Sequence, residues 1–464
     1  MAMEWSLLGN PVLIAVAALL VLSAARMNVV FSLVAASLIG GVAAGIRAEE
    51  AAWSFSYWSG VLSGTLEDFV SGLGNGASIA MNYAMLGAFS IAISRSGLTE
   101  LIARRLFRWI GSEVDPRRIF YFKYTLIAIL TLIAISSQNL IPVHIAFIPV
   151  LIPPLLPVFE RIRLDRRMVA CILTFGLITP YMVLPVGFGK IYINEVLLRN
   201  ISEGGLEVNP GSAPYAMIIP ALGMVAGLLI AIFISYRKPR DYDVGRTETG
   251  VDAVEPAEIR PKNVIAGIVA IAVALAGQFL LNSLIVASLL AVLVFVAARV
   301  FRMRDTQDVF TQGVYLMGGI GLVMIAAAGF ARVMQETGGV AEMVGVVAGI
   351  AGEYRGVTVF IMLLIGLIVT MGIGSSFSTV PLLAAIYVPL CVAMGLSPAA
   401  TVAIVGSAGA LGDAGSPVSE SVLGPTAGLN ADGQHDHIYD SVIPTFLHYN
   451  LPLLAAGWVA GMVL

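Results

Sequence analysis

Apolar runs almost free of charge recur along this chain, and each is close to the length at which a helix can cross a bilayer. They cover residues 7–25, 29–46, 119–135, 168–186, 213–236, 264–281, 284–298 and 357–373. A membrane helix needs about 20 such residues. Only 12% of the 464 residues are charged and 58% are hydrophobic, whereas a soluble domain carries about 25% charge. The runs are continuous rather than alternating, which excludes a membrane β-barrel. The sequence therefore predicts an all-α polytopic membrane protein with about 10–12 membrane segments.

One strongly polar connector, residues 237–262, divides the chain into 1–236 and 263–464. Arg237, Lys238, Arg240, Arg246, Arg260 and Lys262 place it in the cytoplasm by the positive-inside rule. Its mixed charge and its prolines 239, 256 and 261 suit a flexible linker that contributes nothing to a site. Basic clusters at 104–118 and 161–167 also read as cytoplasmic, while their counterparts near 336–353 and 397–398 carry little positive charge. Equivalent loops thus fall on opposite sides, the pattern of two inverted-topology membrane repeats. Residues 96–101 align with 338–343, and the glycine-rich run 72–87, with Asn75 and Asn82, corresponds to 313–329. Segments so rich in glycine are either full helices packed through small residues or re-entrant hairpins. Glu4 in place of a basic flank argues against a cleavable signal peptide. Cys171 and Cys391 lie in apolar segments and offer neither a disulfide framework nor metal spacing.

Two interruptions share one pattern. Ser136-Ser137-Gln138-Asn139-Leu140-Ile141-Pro142 and Ser375-Ser376-Phe377-Ser378-Thr379-Val380-Pro381 both close an apolar run with Ser-Ser followed by proline. A broken helix is tolerated in hydrocarbon only where protein or a water-filled cavity satisfies its freed backbone groups. Such breaks at matching positions of two halves point to the binding site of a secondary transporter. Bare carbonyls there can hold Na+, and Ser136, Ser137, Gln138, Asn139, Ser375, Ser376, Ser378 and Thr379 add polar side chains. Small-residue packing with hydroxyls bonded back to their own helix is the structural alternative.

The stretch Gly412-Asp413-Ala414-Gly415-Ser416-Pro417-Val418-Ser419-Glu420-Ser421 sets two carboxylates among glycines, serines and a proline after an apolar segment. Burying a charge at membrane depth costs about 2.5–3.5 kcal/mol even on the lenient scale, which makes it a functional candidate. Asp413 reads as the central coupling carboxylate, assisted by Ser416, Ser419 and Glu420, with Asp413, Ser416, Ser376 and Thr379 as Na+ ligands. The equivalent stretch in the first half, 179–190, has broken-helix character and a cation, Lys190. His144, beyond the first Ser-Ser pair, can titrate near neutrality or simply pack. His435-Asp436-His437 has no third ligand at a recognisable spacing and reads as a polar loop. No His-Glu-x-x-His, Gly-x-Ser-x-Gly or Gly-x-x-x-x-Gly-Lys-Ser/Thr pattern occurs, so membrane proteolysis and ATP-driven transport lack support.

The motif Gly412-Asp413-x-x-Ser416-Pro417-x-Ser419-Glu420 resembles the NhaC-type Na+/H+ antiporter family of the ion transporter superfamily, with Glu420 where the family pattern has Asp. The tail from Gly424-Pro425-Thr426 to His435-Asp436-His437 looks more like the YuiF-type branch, whose implied cargo includes amino acids, histidine among them. The resemblance covers most of the chain. It implies inverted repeats with re-entrant hairpins and broken helices meeting at the bilayer midplane. It also implies a transporter rather than an enzyme, multi-pass in the cell membrane and working by alternating access. Na+ and/or H+ would be the coupling ion, with no organic cofactor. The partners expected are the lipid bilayer, an ion or small-molecule substrate and a second copy as a homodimer, with no nucleic acid. Na+/H+ exchange and cation-coupled amino-acid transport both remain open.

Overall fold

The computed structural model describes residues 9–48, 54–98, 116–139, 148–243, 259–281, 283–340 and 354–464, together with the isolated positions 100, 101, 104, 105, 342 and 345. Among the described residues it is all-helical, and ten helices are long and apolar enough to cross a membrane. The first half contains α1 (Pro11–Ala24), α2 (Val29–Arg47), α3 (Phe55–Arg95), α4 (Pro116–Asn139) and α5 (Arg166–Val183), followed by α6 (188–203) and α7 (Ile218–Ser235). The second contains α8 (Pro261–Leu281), α9 (Leu284–Ala297), α10 (Thr306–Glu336), α11 (Arg355–Ile373), α12 (Ser376–Ala393), α13 (Pro398–Ala410), α14 (Glu420–Leu429) and α15 (His437–Val463). Their starts are chemically marked. Asn10, Asn28, Ser54, Ser283 and Ser397 each accept an N–H of the first turn that would otherwise be orphaned.

The two glycine-rich segments are uninterrupted helix, not re-entrant hairpins. The physical reason is visible in how α3 and α10 meet. They run antiparallel, with Gly72 against Ala328, Gly76 against Met324 and Gly87 against Gly313. A Cβ on Gly87 would fall 2.2 Å from the Gly313 carbonyl oxygen, and one on Gly313 would fall 2.1 Å from the Ala88 nitrogen. The glycines bring two backbones into contact while both helices stay continuous, which is what hydrocarbon demands. α2 packs on α10 of the other half, and α9 packs on α3.

The largest core gathers around α5, α11 and α13, with α13 buried from Ala400 to Ala410. A smaller apolar cluster joins Leu86–Leu98 to α8 and α9 through Phe89, Ala270 and Phe295. Helices interrupt near the main core at three places. α5 ends before Gly187 (φ 57°), α11 ends at the left-handed Gly374 (φ 75°), and the chain between α13 and α14 turns through Gly412 (φ 86°) and Gly415 (φ 119°).

The connector departs from expectation. Residues 244–258 lie outside the described residues, but its opening is docked. Arg240 pairs with Asp440 at 2.7 Å, Tyr242 accepts the Arg166 N–H at 2.9 Å, and Asp243 and Gln434 exchange two hydrogen bonds. Arg166 itself is fully buried, holding both Asp432 oxygens at 2.7 and 2.6 Å and stacking on Tyr242. A bidentate guanidinium–carboxylate pair is the geometry that offsets the desolvation of both charges. Arg26 joins this end of the molecule through the Tyr439 ring. His435 and His437 also belong here, His435 in a polar loop as expected and His437 at the first turn of α15, and both are tied down. His435 is 2% exposed and bonds Ser441, while His437 bonds Thr426 and the Pro417 carbonyl. Burial pushes the His435 imidazole down to about 3, so it stays neutral.

Candidate functional site

The breaks converge. Phe188 and Phe377 stand 4.7 Å apart between ring centres, and Tyr181 packs on both. A Cβ on Gly374 would lie 3.0 Å from the Val418 carbonyl oxygen, so only glycine lets the end of α11 rest against the Asp413 turn. That turn is held from behind. Asn450, in a π-helical turn of α15, accepts the Gly412 N–H at 3.0 Å, and Gly415 abuts the Phe446 backbone. Single π turns inside α-helices recur at functional sites.

Asp413, 7% exposed, is surrounded by hydroxyls. Tyr181 donates to Oδ2 at 2.8 Å, Ser376 donates to the same oxygen at 2.6 Å, and Ser419 donates to Oδ1. Tyr181 and Ser376 are themselves 2.7 Å apart. Three charge-assisted bonds satisfy a carboxylate that has no cationic side chain at contact distance among the described residues. A hydroxyl both donates and accepts, so the same oxygens that donate to the bare carboxylate can rotate and offer lone pairs to a cation. The cluster is thus chemically able to exchange a proton or a hard cation at Asp413. Groups of three or more His, Cys, Asp or Glu placed to hold a metal ion are absent among the described residues.

In front of this cluster lies a cavity of about 370 Å3. Asn75 and Gly76 of α3, Tyr181 and Phe188, Arg332 and Gln335 of α10, Ser375–Ser378, Asp413 and Glu420 contribute to its wall. Glu420 opens α14 at its N-terminus, where the helix dipole favours an anion. Its carboxylate is half-buried and makes no hydrogen bond or ion pair with any described residue. Arg332 pairs with Glu336 at 2.7 Å, both side chains being largely exposed.

Of the residues singled out from sequence, the structure gathers Asn75, Ser375, Ser376, Ser378, Asp413, Ser419 and Glu420 at one place. Others stand apart. Ser416 does not reach the Asp413 carboxylate; it donates to the Met371 carbonyl at 2.8 Å and caps Val418, bracing the turn against α11. Thr379 bonds back to the Ser375 carbonyl within α12 at 2.9 Å and is off the cavity wall. Ser137 does the same inside α4, donating to Ala134 at 2.8 Å, and neither it nor half-buried Ser136 lines the cavity. Asn82 is half-buried on α3, also off the wall. His144 and the side chains of Gln138 and Asn139 lie outside the described residues. Lys190 is exposed and away from the cavity, whose cation is Arg332.

Sequence reasoning missed Tyr181, Asn450 and Arg332. Tyr181 follows Pro180 just before a break, and Arg332 is a lone cation in an apolar, glycine-rich span. Both are readable signals, since ionisable groups at membrane depth are functional candidates by default. Asn450 had no such signal, because only the packing of α15 brings it to Gly412.

The Na+/H+ antiporter family model matches residues 172–458, and a second Na+-H+ antiporter family model matches residues 10–110. The chain is 49% identical over 464 residues to an uncharacterized membrane protein of Haemophilus influenzae, covering 99% of this chain and 100% of that one. It is 44% identical over 409 residues to the "Putative amino acid transporter YuiF" of Bacillus subtilis, covering 87% and 91%. Neisseria gonorrhoeae MtrF, described as illuminating a class of antimetabolite efflux pumps, aligns over 94% of both chains at 17% identity with a TM-score of 0.39.

Proposed function

This chain belongs to the Na+/H+ antiporter family, and from that premise we propose that it is a cation-coupled secondary active transporter with Asp413 as its coupling carboxylate. It is a multi-pass membrane protein and not an enzyme. The observation that carries the proposal is the hydroxyl cage on Asp413, drawn from α5, α12 and the turn before α14, at a point where helices break. In this reading Na+ or H+ at Asp413 replaces donated hydroxyl bonds, so ion arrival changes what holds α5, α12 and α14 together. A carboxylate whose partners lie on separate helices links occupancy to helix position, as alternating access requires. Residues 1–236 and 263–464 act as inverted repeats joined by a cytoplasmic 237–262 connector. The reciprocal packing of α2 on α10 and α9 on α3 supports this.

The cavity favours a second reading, in which the ion gradient drives an amino acid. At about 30 Å3 per water, 370 Å3 holds about a dozen waters, far more than one ion needs. It also falls within the roughly 300–1,000 Å3 typical of small-molecule sites. Purified protein in proteoliposomes, with Na+ and pH gradients imposed separately and each of the twenty L-amino acids present or absent, tests both. Flux that follows neither gradient overturns the coupling proposal. Ion exchange unaffected by every amino acid leaves Na+/H+ antiport alone.

A further inference from the structure

We infer that the two carboxylates of the Asp413–Glu420 turn serve different cargoes: Asp413 the coupling ion, and Glu420 the ammonium of a zwitterionic substrate whose carboxylate is read by Arg332. This rests on the transporter reading and deepens its amino-acid form.

The division follows from how the two acids are partnered. Asp413 is buried and has three hydroxyl donors on its two oxygens, so its hydrogen-bonding needs are met by the protein. Glu420 is half-buried on the cavity wall at the start of α14 and has no hydrogen bond or ion pair among the described residues. A partly desolvated carboxylate without a partner is costly unless a cation or donor arrives. An ammonium brings three N–H donors, enough to bridge Glu420 to hydroxyls nearby, and Ser375 and Ser421 line the same wall.

The opposite charge is also present. Arg332 lines the cavity from α10 with Gln335, and Asn75 joins them from α3. Arg332 uses one nitrogen on Glu336, an exposed pair four residues along the helix, which is a weak attachment. The guanidinium has five N–H donors and suits bidentate capture of a carboxylate. Phe188, Phe377 and Ile79 supply apolar surface to the same cavity for the substrate's side chain. A lone inorganic cation would use neither Arg332 nor this aromatic wall.

The test uses purified full-length protein in lipid nanodiscs. Binding of the twenty L-amino acids is measured, and the tightest is then compared with its carboxamide and its N-acetyl derivative. Wild type should prefer the zwitterion over each derivative by tenfold or more. Glu420→Gln should weaken zwitterion binding at least tenfold and erase the penalty for N-acetylation, with Glu420→Asp recovering part of it. Arg332→Gln should erase the penalty for the carboxamide, with Arg332→Lys recovering part. The inference is overturned if Glu420→Gln retains tenfold discrimination against the N-acetyl form. It is also overturned if no amino acid binds wild type although Na+- or pH-driven flux persists; coupling at Asp413 then stands. Failure of the coupling proposal shows separately, as Asp413→Asn protein whose flux keeps its ion dependence.

Discussion

Ser137 and Ser376 occupy matching places in two copies of one motif, and they do different things. Ser376 opens α12 two residues after the left-handed Gly374, so its hydroxyl projects across the break and donates to Asp413. Ser137 sits within the last turn of α4, where the helix has not yet ended, and its hydroxyl folds back on the Ala134 carbonyl. The difference is where the helix stops relative to the serine pair. A positive-φ glycine directly before Ser-Ser forces the stop in the second half; Ile135 holds that place in the first. A motif of small hydroxyl residues becomes ligand-like only when the backbone ahead of it is made to break.

The comparison can be broken at several levels. The largest effect is expected from Asp413→Asn, which keeps size but removes the charge that three hydroxyls serve. Hydrogen bonds to charged groups are worth about 1.5–3 kcal/mol each, so ion-driven flux should fall by about two decades or more while the protein still elutes as a folded species. Activity with unaltered Na+ and pH dependence would place the coupling group elsewhere. Gly374→Ala comes next. Its φ of 75° and a Cβ 2.7 Å from Val418 Cγ2 should lower stability by about 1–3 kcal/mol, read as a drop in Tm. A Tm equal to wild type would deny the break its dependence on glycine. Ser376→Ala and Tyr181→Phe each remove a donated bond that holds the ion-free carboxylate and that an arriving proton displaces, so proton affinity should rise by about tenfold, equivalent to the ~1.4 kcal/mol within the range for one charge-assisted bond. Smallest is Ser137→Ala, where a hydroxyl bonded back to its own helix and off the cavity wall should leave ion affinity within about twofold. If Ser137→Ala matched Ser376→Ala, the two halves would contribute alike after all.

Much of the fold was readable because hydrocarbon leaves a chain few choices. Runs such as 29–46 and 357–373 correspond to α2 and α11 nearly residue for residue. The site was only half readable. Asp413, Ser419 and Glu420 stand out as polar groups in apolar sequence, and their neighbourhood is local. What the sequence did not disclose is which way a hydroxyl turns. Ser416 and Thr379 have the right chemistry, but their nearest acceptors are the backbone carbonyls of Met371 and Ser375. Tyr181 lies 232 positions from Asp413, and that pairing depends on how α5 crosses the second half. The helical state of the glycine-rich runs was equally ambiguous, since one composition serves a hairpin or a tight helix pair. Only the partner decides.

The docked opening of the connector has a consequence for how this polypeptide can be handled. Residues 240–243 hold on to residues from both sides of the division, Asp165 and Arg166 before it and Gln434 and Asp440 after it. The α3–α10 seam adds an extended contact that owes nothing to the connector. The peptide link between the halves is therefore redundant as a fastener. Two separate genes, one ending after residue 243 and the other beginning at 259, should yield fragments that assemble in the same membrane and co-purify. Removing 240–243 from the first fragment should loosen that assembly at the end where Arg166 would lose its Tyr242 cover. The intervening positions are then open ground for a tag, a fluorophore or a protease site, and the transporter can be read out as a self-assembling pair.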